Sequence, residues 1–306
     1  MNSGDTATME FHQLRYFIAT AEELSITAAA KRLHISQPAL SRQILSLEEE
    51  LGVPLFQRVK KRIHLTDAGR FFLDRARQLL CDSETSIQQV REQFGHGKRT
   101  IRLGFLTIFL DDIVAPALRT MRKESPRTSV ALFELSPKAQ LDRLRDGELD
   151  LALLGNLGEE DRSRYTIQSL MRNPMAIVLP DDHRHATRKQ VALKELAGEP
   201  FVSLSDTIFP GRRQFLRSVC QTQGFEPKIV EESDSLPLLL AAVSSGTGVA
   251  LLPAHSSKLP HSGSVFVRMK TPVVYAEIMA VYRKDSAQGV LASLINHLES
   301  AAQAIV

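Results

Sequence analysis

Tryptophan is missing from this chain, and with 14 phenylalanines and 4 tyrosines the aromatic share is only 6%. Cysteine is nearly missing as well. Cys81 and Cys220 cannot build a disulfide framework, and so sparse a thiol content suits a reducing cytoplasm. No apolar run approaches the ~18 residues that a membrane-crossing helix requires, so no membrane partner is expected. The opening MNSGDTAT has neither a basic nor an apolar stretch, which argues against a secretory leader. Signatures of catalysis are lacking too: there is no GxSxG, no CxxC and no pair of carboxylates spaced for general acid–base work. SGTGV at 245–249 lacks the Lys-Ser/Thr of a phosphate loop. His183 and His185 lie in a polar loop with no cysteine nearby, and a surface loop is the expectation there over a metal site. The expectation is therefore a protein that is not an enzyme and holds neither metal nor cofactor.

What is present is ordinary globular material: 306 residues, 43% apolar and 24% charged, enough for two or three domains. The net charge of +3 is unremarkable, but its placement is not. Between Leu24 and Leu47 the charged residues are Lys31, Arg32 and Arg42; between Leu51 and Thr66 they are Arg58, Lys60, Lys61 and Arg62. Neither window contains an acid. Glu48, Glu49 and Glu50 fall between them. Surfaces free of carboxylates are what a phosphate backbone selects.

Helical spacing begins at Met9, with Phe11, Leu14, Phe17, Ile18 and Ala21. Ser25 can cap a short second helix, ITAAAKRL; His34-Ile35 make a turn; Ser36 caps a third helix, with Pro38 just inside it and Gly52 as its stop. Two short helices about a brief turn form a helix-turn-helix, and LFQRVKKRIHLT reads as a two-stranded wing with a basic tip. A long helix follows from Thr66 to Phe94. Leu73, Leu80 and Ile87 recur in it every seven residues, which predicts a dimer contact, although Ser83 and Ser86 interrupt that seam. Residues 95–99, GHGKR, form the expected hinge. From Thr100 onward strands and helices alternate. IRLGFL, SVALFEL and DLALLG, with helices between them, form a βαβαβ unit with parallel strands, and a second α/β set starts at MAIVLP.

Residues 9–70 resemble the winged helix-turn-helix of LysR-type transcriptional regulators. The matching run is LRYFIATAEELSITAAAKRLHISQPALSRQILSLEEELGVPLFQR, closed by LTDAGR; GELDLALLG and SSGTGVALLP extend the likeness into the second half. The resemblance implies an α-rich winged helix-turn-helix domain followed by a two-lobed, periplasmic-binding-protein-like α/β effector domain. It further implies a homodimer or homotetramer, double-stranded DNA bearing an inverted-repeat operator, and a small-molecule effector between the lobes. Met9 lies where such proteins begin. The corresponding boundaries are a flexible tail at 1–8, a DNA-binding domain at 9–66, a dimerisation helix at 67–94, a hinge at 95–99 and an effector domain at 100–306. Lobe I of that domain takes 100–171 and 272–306, and lobe II takes 172–271.

Carried over by position, Gln37, Pro38, Ser41 and Arg42 meet DNA from the recognition helix, Arg58 and Lys61 from the wing, and Thr27 and Ser36 at helix starts near phosphates. Gln and Arg suit adenine and guanine edges, and hydroxyls at helix N-termini suit phosphate oxygens. The effector loops would be those with Thr107 and Ile108, Ser136 and Pro137, and Ser205, Asp206 and Thr207. Their hydroxyls either hold a small organic anion or simply cap helices, and Asp206 would repel an anion, so a neutral ligand stays open. A different class, a solute-binding or enzymatic α/β protein with an accessory helical domain, is opposed by the missing leader and the missing catalytic constellation.

Overall fold

The computed structural model describes residues 9–59, 62–94, 99–155, 157–270, 272–284, 286–287 and 289–305. The chain divides into two compact units, Met1–Gly97 with Arg145–Gly147, and Lys98–Leu144 with Glu148–Val306.

In the N-terminal unit, α1 (Phe11–Glu23) is opened by Gln13, whose Oε1 accepts the Glu10 N–H at 2.9 Å. Helix α2 (Ile26–Arg32) is capped by Ser25, which accepts the Ala28 N–H at 3.3 Å. Helix α3 (Gln37–Leu51) is capped by Ser36, which accepts the Ala39 N–H at 3.4 Å, and it stops at Gly52 with φ +68°. The turn between α2 and α3 is closed by two bonds: Ile35 N–H donates to the Ala30 carbonyl at 3.0 Å and His34 N–H to the Lys31 carbonyl at 3.2 Å. His34 takes φ +55° there, a conformation usually left to glycine. Ala29 and Ala30 are buried, which lets α2 pack closely, and Phe17, Leu40 and Leu47 fill the centre of the three-helix core.

Strands β1 (Phe56–Val59) and β2 (Arg62–Leu65) pair antiparallel as the wing. Glu48 ties the end of α3 to this wing, accepting the Leu55 N–H at 2.7 Å and the Phe56 N–H at 2.9 Å. Thr66 caps α4 (Asp67–Phe94), accepting the Gly69 N–H at 2.9 Å. Phe72, Leu73 and Leu80 on α4 pack against the three-helix core.

The C-terminal unit opens with β3 (Arg99–Phe105), followed by a 3-10 turn at Thr107–Phe109 and a π turn at Leu110–Val114 that lead into α5 (Ala115–Glu124). Next come β4 (Thr128–Glu134), α6 (Pro137–Arg145), β5 (Leu151–Leu154), α7 (Glu159–Arg164) and the long β6 (Tyr165–Pro180). The chain continues through β7 (Gln190–Val191), β8 (Pro200–Leu204), α8 (Arg212–Gln221), β9 (Lys228–Ser233) and α9 (Leu236–Ser244). It finishes with β10 (Ala250–Pro253), a 3-10 turn at Ala254–Lys258, β11 (Ser264–Met269), β12 (Tyr275–Arg283) and α10 (Val290–Gln303).

One sheet runs β4-β3-β5-β12-β6-β11-β7, with β10 also paired to β6; β8 and β9 form a separate parallel pair. The βαβαβ expectation holds for β3, β4 and β5, which are parallel. Beyond β5 the pairings that join β5, β12, β6, β10 and β11 are antiparallel, and β7 adds parallel to β11. The expected strand MAIVLP is only the second half of β6. Its first half was hidden by Pro174, which argues against a central strand. The structure shows how it is tolerated: Pro174 sits where β6 changes partners, from β12 up to Tyr275 to β10 and β11 from Met175 onward.

Strand β6 therefore serves two sets of cores. Leu170 and Met171 join Leu103, Leu153, Ile278 and Leu294 in one set. Further along, Ile177 and Leu179 face α8 with Leu216 and Val219, while Val178 points to the opposite face with Leu240 and Leu252. That alternation is the period of two expected of a strand buried on both sides.

Candidate nucleic-acid interface and interlobe cavity

In the N-terminal unit Thr27, Ser36, Gln37, Pro38 and Arg42 are exposed, and Ser41 is half-buried, all on α2 or at the start of α3. Arg58 is exposed on β1. Lys61 lies outside the described residues. Arg32, one of the three cations of the acid-free window between Leu24 and Leu47, is paired with Glu22 at 2.7 Å and Glu23 at 3.4 Å. Arg77 holds the same Glu22 at 2.7 Å. Burial pushes the Glu22 carboxyl up, but hydrogen bonds from Arg77 and Arg32 outweigh that and hold it below the ordinary range. Arg32 thus secures α2 to α1, while Arg42 and Arg58 enter no ion pair among the described residues. Helix α3 thereby presents Gln37 and Arg42 on an exposed, carboxylate-free entry turn, with its acids at the far end and Glu48 already engaged by the wing.

Of the three residues expected at a dimer seam, Leu73 and Leu80 are half-buried against their own core. Ile87 is 50% exposed, and Val90 one turn further is 59% exposed. Uncovered apolar side chains therefore run along α4, with Phe71 and Leu79 exposed in its first half and Ile87 and Val90 in its second.

In the C-terminal unit a cavity of about 710 Å³, counting its open mouth, lies where β6 and β12 cross between the two sets of cores. The first set supplies Ile108, Phe109, Pro137 and Ile278; the second supplies Leu204, Phe209, Leu236 and Pro253. Two clasps flank it. His255 Nε2 lies 2.9 Å from the Ile108 carbonyl, with Lys258 on Asp112 at 2.5 Å beside it, and the Lys138 N–H donates to the Ile208 carbonyl at 3.1 Å. Five polar side chains stand in this otherwise apolar wall: Asn173, Arg212, His255 and Ser256, all buried, and the half-buried Glu277.

The sequence-predicted effector residues distribute unevenly around it. Ile108 and Pro137 line the cavity. Thr107, Ser136, Ser205, Asp206 and Thr207 do not, and most of them are occupied locally. The Thr107 hydroxyl donates to the Glu134 carboxylate, Ser136 accepts the Ala139 N–H at 3.4 Å as the cap of α6, and Asp206 accepts the Arg213 N–H at 2.9 Å in the first turn of α8. The Ser205 N–H donates to the Ser233 carbonyl at 2.9 Å, extending the β8–β9 pair. Thr207 is exposed. The polar lining that sequence reasoning missed carried one visible signal. Arg212 and Arg213 open α8, where the helix dipole disfavours cations, so a specific partner was to be expected there. Arg213 finds Glu232 at 2.6 Å; Arg212 turns inward.

Cys220 is buried in α8. Burial, with a smaller contribution from Glu226, pushes its thiol up to about 12, so at neutral pH it stays a protonated, unreactive core group.

A capped helix-turn-helix with a wing, joined in one chain to a two-core α/β unit with a cavity at its waist, is the build of a ligand-responsive DNA-binding regulator. Residues 11–70 match the bacterial regulatory helix-turn-helix family of lysR type, and residues 95–303 match the LysR substrate binding domain. The chain is 30% identical over 278 residues to the transcriptional regulator AlsR of Bacillus subtilis, covering 91% of each. It is 31% identical over 283 residues to XapR of Escherichia coli, covering 92% of this chain and 95% of that one. Among solved structures, full-length BenM aligns with TM-score 0.58 and 27% identity over 97% of this chain and 98% of its own. CbnR shares the fold with TM-score 0.67 at 24% identity, over 96% and 99%. The chain belongs to the LysR family: it is a DNA-binding transcription regulator with an effector-binding domain, and not an enzyme. Among the described residues, no helix is long and apolar enough to cross a membrane.

Proposed function

We propose that a small organic effector, an anion matched to the buried Arg212 of the wall, occupies the interlobe cavity and sets how the winged helix-turn-helix engages an inverted-repeat operator in the cytoplasm. The observation that carries this reading is the cavity itself: both sets of cores supply its walls, so an occupant touches both at once. A ligand shifts an equilibrium only through unequal contact with two arrangements, and a site shared by two bodies provides that inequality. Ile108→Trp fills the cavity from the 3-10 turn. It is expected to leave operator affinity without ligand unchanged and to abolish the change in affinity that an effector found by thermal-shift screening produces. Thr107→Val, outside the lining, should respond as the parent does. A full response from Ile108→Trp would remove the cavity from consideration.

An inverted repeat calls for a two-fold protein, and the exposed Ile87 and Val90 on α4 supply an apolar strip that a second copy can cover. Burying one such side chain is worth about 1.5–3 kcal/mol, so a charge in that seam is costly. Ile87→Glu should halve the mass in light scattering while leaving the monomer folded, because Ile87, unlike Leu73 and Leu80, supports no core of its own. An unchanged mass would place the interface elsewhere.

A further inference from the structure

Three buried polar side chains in the wall of the interlobe cavity carry a charge or a donor left unmatched among the described residues. Arg212 is buried, and its guanidinium donates to the Leu251 carbonyl and lies 5.2 Å from the centre of the Phe215 ring. Among the described residues it has no carboxylate within ion-pairing distance. Burial lowers it to about 10, which still leaves it cationic at neutral pH. A buried, unpaired guanidinium is costly in a folded protein and is ordinarily matched by an anion. The Asn173 Nδ2 and the Ser256 Oγ are likewise buried, with no hydrogen-bond partner among the described residues. Both residues line the same cavity, Asn173 at 3% exposure and Ser256 at 0%. Buried donors left unmatched are rare and ask for an occupant. Glu277 also lines the cavity; its side chain is 42% exposed and its nearest cation is Arg162 at 3.8 Å.

We propose, resting on the reading of this cavity as the effector site, that its ligand is a monocarboxylate with a compact apolar body. The carboxylate takes Arg212, the Asn173 amide and the Ser256 hydroxyl as donors, and the body lies among Ile108, Phe209 and Leu236. A guanidinium, an amide N–H and a hydroxyl are three donors, and a carboxylate is the small group that offers acceptors alone. Beyond these donors the wall is apolar except for His255 and Glu277; a second carboxylate would meet no further lysine or arginine in the lining, and Glu277 would repel it.

The test is isothermal titration of the full-length chain with sodium benzoate and sodium 3-methylbutanoate, against benzamide, 3-methylbutanamide and succinate. At least one of the two monocarboxylates should bind, with its own amide and succinate each weaker by about tenfold or more. Ser256→Ala, which leaves the fold intact because that hydroxyl has no partner to lose, should weaken the acid by about tenfold and its amide far less. Arg212→Lys should keep part of the affinity and Arg212→Gln none; should Arg212→Gln fail to fold, the Ser256→Ala comparison decides. Equal binding of acid and amide, or no binding of either acid at tens of millimolar, overturns the monocarboxylate assignment while the cavity reading still stands or falls on Ile108→Trp. Acid binding that survives both Ser256→Ala and Ile108→Trp overturns the assignment and the cavity reading together.

Discussion

Gly69→Ala is expected to destabilise the N-terminal unit by about 1–3 kcal/mol, a large share of the roughly 5–15 kcal/mol that holds a domain folded. Gly69 lies in the first turn of α4, and a methyl group there would sit 2.1 Å from the Leu55 carbonyl oxygen and 2.9 Å from Leu65 Cδ2. The oxygen belongs to backbone that already accepts the Thr66 N–H at 3.0 Å, so it cannot swing aside as a side-chain tip would. Either α4 lifts from the wing or the wing loses its anchor to α3 at Glu48. Both outcomes reach operator binding. Urea unfolding of the variant should show a lowered midpoint, with weakened operator affinity at matched temperature. Gly198→Ala is the control, since a methyl group there meets nothing within 4 Å. An unshifted midpoint for Gly69→Ala would mean that α4 does not approach the wing so closely.

Substitutions on α3 should separate recognition from attachment. Arg42→Ala and Gln37→Ala are expected to cost about 1–3 kcal/mol on the specific operator and much less on scrambled DNA, because contacts to base edges carry sequence information. Arg58→Ala, and Lys61→Ala by the same reasoning, should weaken both DNAs evenly and flatten the dependence on salt, as loss of a phosphate contact does. Arg32→Ala behaves differently again. Its guanidinium secures Glu22 and Glu23, so its loss should appear first as lowered stability. Filter-binding or anisotropy titrations over a salt series distinguish the three patterns. If Arg42→Ala leaves the ratio of specific to nonspecific affinity unchanged, α3 does not read the bases.

The N-terminal unit could be drawn from sequence because its determinants are local. Ser25, Ser36 and Thr66 each cap the helix that follows them, and Gly52 takes the left-handed backbone that ends α3. The effector residues were legible only as loops. A serine or threonine after a strand has the same short-range chemistry whether it caps a helix or holds a ligand, and here Ser136 caps α6 while Thr107 bonds Glu134. The polar wall of the cavity comes instead from Asn173 in mid-strand, Arg212 at a helix start and Ser256 in a 3-10 turn. Nothing nearby in sequence joins those positions; only the crossing of β6 and β12 does. Pro174 concealed that crossing, since a proline in a long strand reads as its end.

The same crossing governs how the waist of the effector domain can move. Strands β6 and β12 are paired at nine positions between Tyr275 and Arg283, with a single irregularity between Ile278 and Met279. All nine rungs fall on β6 before Met175, so β12 braces only that half of the strand, and β6 runs on to meet β10 and β11 beside the second set. The two sets are thus tied through continuous strand and not through loops alone, which favours a shared twist over a free swing. The irregular rung, where Leu170 has no opposite number, interrupts the ladder, and Ile278 beside it forms part of the cavity wall.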